Sequence, residues 1–72
     1  MLHQVIADTG VLVALINRRD VYHSWVTEQL RFIAVPLVTC EAVLSETWFL
    51  LQRVNNGHNT LLQLLQEGQI KI

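Results

Sequence analysis

The stretch IADTG, residues 6–10, joins two different patterns. Up to Asp8 runs a short apolar segment, HQVIAD (3–8), which reads as a strand ending in turn and capping residues. From Thr9 onward, TGVLVALIN (9–17) is apolar nearly all round, as expected of a short helix enclosed by other layers. Asp8 stands at the junction, and a carboxylate there has two readings. It can cap the helix that starts at Thr9 or Gly10. It can also bind something, because open parallel α/β sheets place ligands beyond the carboxyl ends of their strands.

Outward from this junction the chain alternates helical and strand-like segments. NRRD (17–20) breaks the first helix, and Asp20 is a natural N-cap for a second. Tyr22, Trp25, Val26, Leu30 and Ile33 follow at spacings of three and four, one apolar stripe that predicts a helix ending near Ala34, ahead of Pro36. PLVT (36–39) is a second strand, after which Thr39 is expected to cap a helix over roughly 40–54, with Glu41 in its first turn. NNGHN (55–59) reads as the clearest loop. TLLQLLQEG (60–68) is a fourth helix closed by Gly68, and QIKI (69–72) alternates as a third strand would. The order β-α-α-β-α-α-β, with no tight hairpin signal, implies a parallel sheet with helical crossovers. The expected fold is a three-layer α/β/α arrangement, with a short parallel sheet in the order 3-2-1 and two helices in each crossover.

Composition narrows the function. Seventy-two residues make one small domain, and a chain of that size buries only about 60% of its unfolded surface. Yet 51% of the residues are hydrophobic and the mean hydropathy is +0.34, which suggests a share in a larger core through further sequence or a partner subunit. No apolar run approaches the roughly 18 residues of a membrane span, and the basic start and cleavage site of a signal peptide are missing. A net charge of −1 with five basic residues gives no electrostatic footprint of a strong nucleic-acid binder, so any such contact is local or assisted by metal ions. The single cysteine, Cys40, cannot form an internal disulfide and reads as a small apolar filler in a reducing, cytoplasmic setting. His3, His23 and His58 supply no motif that would activate it.

A second carboxylate draws attention in EAVLSETWFLL (41–51). The helical neighbours of Glu46 are Ala42, Val43, Phe49 and Leu50, all apolar, so Glu46 is expected on an inward-turning face. A buried carboxylate without a partner is costly, and it calls for a hydrogen bond or a cation. Adjacent parallel strands would bring Asp8 and Glu46 together, and Mg²⁺ or Mn²⁺ takes oxygen ligands of this kind. Glu46 lies about six residues into its helix, roughly 9 Å along it, a gap that a side chain leaning toward the helix start partly closes. Glu28 and Glu67 fall on polar faces and read as solvated.

At this point the residues reach a resemblance. IADTGVLVALINRRDVYHSW, PLVTCEAVLSETWFLL and the leucine-rich helix leading into QIKI resemble the first half of a PIN domain, in particular the VapC-type toxin ribonucleases. The resemblance implies a metal-dependent endoribonuclease of the toxin–antitoxin type that cleaves RNA phosphodiester bonds. In it Asp8 and Glu46 match the first two metal-binding acids for Mg²⁺ or Mn²⁺, and Thr9 matches a hydroxyl that orients water or substrate. Asp20 and His23 match a structural helix-start pattern, while Arg18 and Arg19 either touch phosphate or are simply solvated. It also implies an RNA substrate and an antitoxin protein as partners. Whole PIN domains are nearly twice as long and carry one or two further acids after the third strand, whereas no acid follows Glu67 here. The expectation is therefore a truncated PIN-like domain over residues 1–72, with an inactive binding or oligomerisation module as the alternative to the nuclease. The family sheet places a later strand beside strand one, so homo-oligomer formation through an open strand-one edge is expected.

Overall fold

A computed structural model describes residues 5–33 and 36–72. Strands β1 (Val5–Ile6), β2 (Leu37–Val38) and β3 (Ile70–Lys71) alternate with helix pairs α1 (Thr9–Ile16), α2 (His23–Leu30), α3 (Glu41–Leu50) and α4 (Gly57–Gln66). The sheet is parallel throughout, with Val5 opposite Leu37 and Leu37 opposite Ile70. Its order is β1-β2-β3, with β2 in the middle. This is the adjacency expected as 3-2-1, written from the other edge. His3 and Gln4 of the expected first strand, and Ala34 at the expected end of the second helix, lie outside the described residues.

The expected three layers are two among the described residues. Both crossovers step in the same direction across the sheet, and right-handed connections then put every helix on one face. On that face Ala7, Leu37 and Ile70 share a core with Leu12 and Ile16 of α1, Leu51 after α3 and Leu61 of α4. The opposite row runs through Ile6, Val38 and Lys71; Ile6 is 79% exposed there and Lys71 is exposed. β1 pairs only with β2, so its outer edge is open among the described residues.

Local chemistry moves several element boundaries. The Asp20 side chain accepts from the Tyr22 N–H (2.9 Å) and its carbonyl accepts from His23 N–H (3.0 Å), so it shapes a turn and α2 starts three residues later. His23 then ties that start to α1 by donating from Nδ1 to the Ala14 carbonyl (2.6 Å), as its structural assignment requires. With α2 set this way only Val26 of the predicted stripe is buried, while Tyr22 and Trp25 face solvent. Thr39 does not cap α3: Cys40 holds the N-cap position with no side-chain bond, and the buried Thr39 Oγ1 finds no partner among the described residues. Cys40 is exposed and not an apolar filler.

The NNGHN segment is mostly helix. Asn56 takes the left-handed conformation (φ 59°) as N-cap and Gly57 opens α4, since asparagine tolerates that region better than most residues. Gly57 is buried, and a Cβ there would lie 3.0 Å from both the Leu51 carbonyl oxygen and Val54 Cβ. At the other end of α4, Gly68 ends the helix as expected, with φ +76°. Its N–H donates to Leu65 and that of Gln69 to Leu64, the paired bonds that satisfy a helix's last carbonyls.

Candidate metal site at the carboxyl edge of the sheet

Asp8 follows β1 and precedes α1. Its backbone is extended and its Oδ1 accepts from the Val11 N–H at 2.9 Å, so it caps α1 in the way short acids favour. The capping bond occupies one carboxylate oxygen. The side chain is exposed, and a capped helix start directs free N–H groups and partial positive charge toward it.

Glu46 is placed differently from the expectation. It is exposed, and so are Ala42, Phe49 and Leu50 around it; Phe49 is 65% exposed. The inward face of α3 is instead built on Val43, Leu44, Thr47 and, just past the helix, Leu51. Thr47 is fully buried because its hydroxyl donates to the Val43 carbonyl (2.7 Å), which removes the cost of burying a polar group. The argument from burying a lone carboxylate therefore falls, and Glu46 has to be judged by its contact.

That contact is with Thr9. The Thr9 hydroxyl donates to Glu46 Oε1 at 2.6 Å, across 37 positions of sequence. It joins the first residue of α1 to the middle of α3 and sets Glu46 beside the residue that follows Asp8. The two carboxylates predicted to share a site thus come from segments held together at the carboxyl edge of β1 and β2. Thr9 spends its one O–H on Glu46 and keeps the hydroxyl's acceptor lone pairs, which a water or substrate O–H can still meet.

The remaining candidates stay apart from this edge. Arg18 and Arg19 are exposed just beyond the other end of α1, roughly 12 Å of helix away at 1.5 Å per residue, so they are solvated and do not face the carboxylates. His58 stacks on Trp48 with ring centroids 3.6 Å apart and donates to the Trp48 carbonyl, a packing role at the α3–α4 turn. No group of three or more His, Cys, Asp or Glu residues gathers among the described residues. Sequence reasoning missed the orphaned Thr39 hydroxyl at the end of β2, and no pattern in PLVT signals it.

The comparison with known families decides what this arrangement belongs to. A model of the PIN domain matches residues 5–72. The chain belongs to the PIN domain family. PIN domains are nuclease-type proteins that generally use divalent metal ions, and the match covers both β1–α1 with Asp8 and α3 with Glu46. No curated protein and no solved structure matches the chain. No helix among the described residues is long and apolar enough to cross a membrane.

Proposed function

We propose that Asp8 and Glu46 hold one divalent cation, Mg²⁺ or Mn²⁺, in a site for endoribonuclease cleavage of RNA phosphodiester bonds, of the toxin–antitoxin kind. The observation that carries this reading is the Thr9–Glu46 bond, which brings the second acid to the start of the helix that the first acid caps. The donor set suits the ion. Magnesium commonly uses one or two protein carboxylates and completes its shell with water and substrate phosphate, so a cluster of three protein ligands is not required.

The roles follow from which atoms are engaged. Asp8 Oδ1 is held by Val11, so Oδ2 is the oxygen it can offer. Glu46 Oε1 is held by Thr9, so Oε2 faces the same task. Both side chains are exposed, which leaves room for a phosphodiester to approach from solvent. Without a cation that approach is unfavourable: two carboxylates repel a phosphate, and the chain carries a net charge of −1. An ion held by Asp8 and Glu46 would reverse the sign of the site and would supply the Lewis acidity that hydrolysis of a phosphodiester needs.

Cleavage of single-stranded RNA with added Mn²⁺, comparing the chain with Asp8→Asn, tests the proposal. Metal-dependent cleavage that Asp8→Asn abolishes supports it. Equal inertness of both proteins favours a second reading, a binding or oligomerising module without catalysis. That reading is motivated by the bare sheet face at Ile6 and the open β1 edge, which suit a second copy or an antitoxin protein. Light scattering at micromolar concentration checks the self-associating form, and a monodisperse monomer would count against it.

A further inference from the structure

We infer that the turn between α3 and α4 holds a subsite for one unpaired nucleobase of single-stranded RNA, with the His58 imidazole as its stacking surface. The inference rests on the ribonuclease reading above and adds a place where the substrate is gripped away from the metal edge. The imidazole lies parallel to the Trp48 indole, with 3.6 Å between centroids and 5° between planes. Its Nε2 donates to the Trp48 carbonyl at 2.8 Å. A carbonyl only accepts, so Nε2 carries the proton and Nδ1 is left as an acceptor in the neutral ring. Stack and hydrogen bond together fix the ring before any ligand arrives, which lowers the ordering cost of binding.

A groove of about 210 Å³ adjoins this ring. His58 lines it and Trp48 does not, so the imidazole stands between the indole and the groove. Leu51 and Val54 supply its apolar floor, while the amides of Gln52, Asn56 and Asn59 are exposed around it. Drug-sized ligands take pockets of about 300–1,000 Å³; this one is smaller and suits a single base. Unpaired RNA bases stack on aromatic or histidine rings and are hydrogen-bonded along their edges, and side-chain amides offer both donors and acceptors for that. Charge favours the same ligand. No acid occurs between Glu46 and Glu67, and the exposed Arg53 sits in this turn, so a phosphate meets a cation here without a metal. The turn is also held in shape: the Leu51 carbonyl accepts from the Val54 N–H and the Val54 carbonyl from the Gly57 N–H, each at 2.9 Å. Trp48 follows Glu46 by two positions, about 200° around a helix of 3.6 residues per turn, so stack and acid lie on opposite sides of α3. The base held at His58 therefore belongs to a nucleotide further along the strand than the cleaved bond.

Titration of the chain with single-stranded oligoadenylate in metal-free buffer, followed by fluorescence anisotropy and NMR, tests this. The imidazole protons of His58 and the backbone amide of Asn59 should shift with oligoadenylate and with adenosine monophosphate. They should stay unchanged with ribose 5-phosphate, which carries the phosphate and no base. His58→Ala should weaken oligoadenylate binding about fivefold to 150-fold, the contribution of one base stacked on an aromatic ring. His58→Phe, which restores a flat ring, should recover most of it. Because His58→Ala also removes packing at the turn, Asn59→Ala is measured beside it and should weaken binding about twofold to tenfold, as loss of one hydrogen bond does. Equal shifts with ribose 5-phosphate, shifts confined to other parts of the chain, or binding that both alanine variants leave unchanged would overturn the subsite. Shifts at His58 in a chain that cleaves no RNA with Mn²⁺ leave the subsite standing and overturn the ribonuclease reading. Metal-dependent cleavage with no shift at His58, and with KM unchanged in His58→Ala, does the reverse.

Discussion

Replacing Asp8 in two ways separates its structural work from its chemical work. The Asp8 Oδ1 bond to the Val11 N–H (2.9 Å) caps α1, and removing such a cap typically costs about 1 kcal/mol. Because α1 supplies the buried Leu12, Ala14 and Ile16, fraying at its start loosens the core and the full cost should appear in global stability. For a domain of this size about 1 kcal/mol lowers the melting temperature by roughly 4–8 °C. Asp8→Ala should show that drop. Asp8→Asn keeps an oxygen for Val11, and asparagine caps as well as aspartate. It loses only the attraction of the negative charge for the helix N-terminus, at the low end of about 0.3–1 kcal/mol for an exposed group. Relief of repulsion with Glu46 offsets part of that, so Asp8→Asn should melt within roughly 3 °C of the wild type. Thermal melts followed by circular dichroism in metal-free buffer read both. If Asp8→Asn falls as far as Asp8→Ala, or Asp8→Ala melts like the wild type, the account of the cap is wrong.

Two further perturbations probe the frame around the site. Thr39→Val replaces a buried hydroxyl that has no partner among the described residues with a side chain of the same shape, and should stabilise the fold by about 1 kcal/mol in urea titration; destabilisation would reveal an interaction of that hydroxyl. Gly57→Ala places a methyl 3.0 Å from the Leu51 carbonyl oxygen and Val54 Cβ, and should destabilise by about 1–3 kcal/mol as overpacking does, with an unchanged melting curve arguing that the turn into α4 can shift freely.

Much of the path to the site was legible along the chain because it depends on local chemistry. The strand–acid–helix junction at Asp8, the helix stop at Gly68 and the alternation of helix pairs with short strands all follow from capping, backbone conformation and apolar runs of a few residues. What was not legible depends on contacts distant in sequence. α3 carries apolar residues on two faces, and its packing against α1 decides which face turns inward. Glu46 was singled out through an inward position it does not occupy, and it keeps its place as a candidate through the bond from Thr9. The layer count failed for a topological reason, since two crossovers in one direction cover a single face however apolar the helices are. Asp20 shows the smaller-scale limit: the residue type marks a turn correctly, but Tyr22 N–H takes its side chain and the helix starts later.

The central claim is that Asp8 and Glu46 act as one cation site. A Mn²⁺ titration by electron paramagnetic resonance of the wild type, Asp8→Asn, Glu46→Gln and the double variant tests it most directly. A shared site predicts that each single substitution abolishes nearly as much affinity as both together, because neither carboxylate holds the ion well alone. Losses that simply add, or Mn²⁺ binding that survives Asp8→Asn, would contradict it.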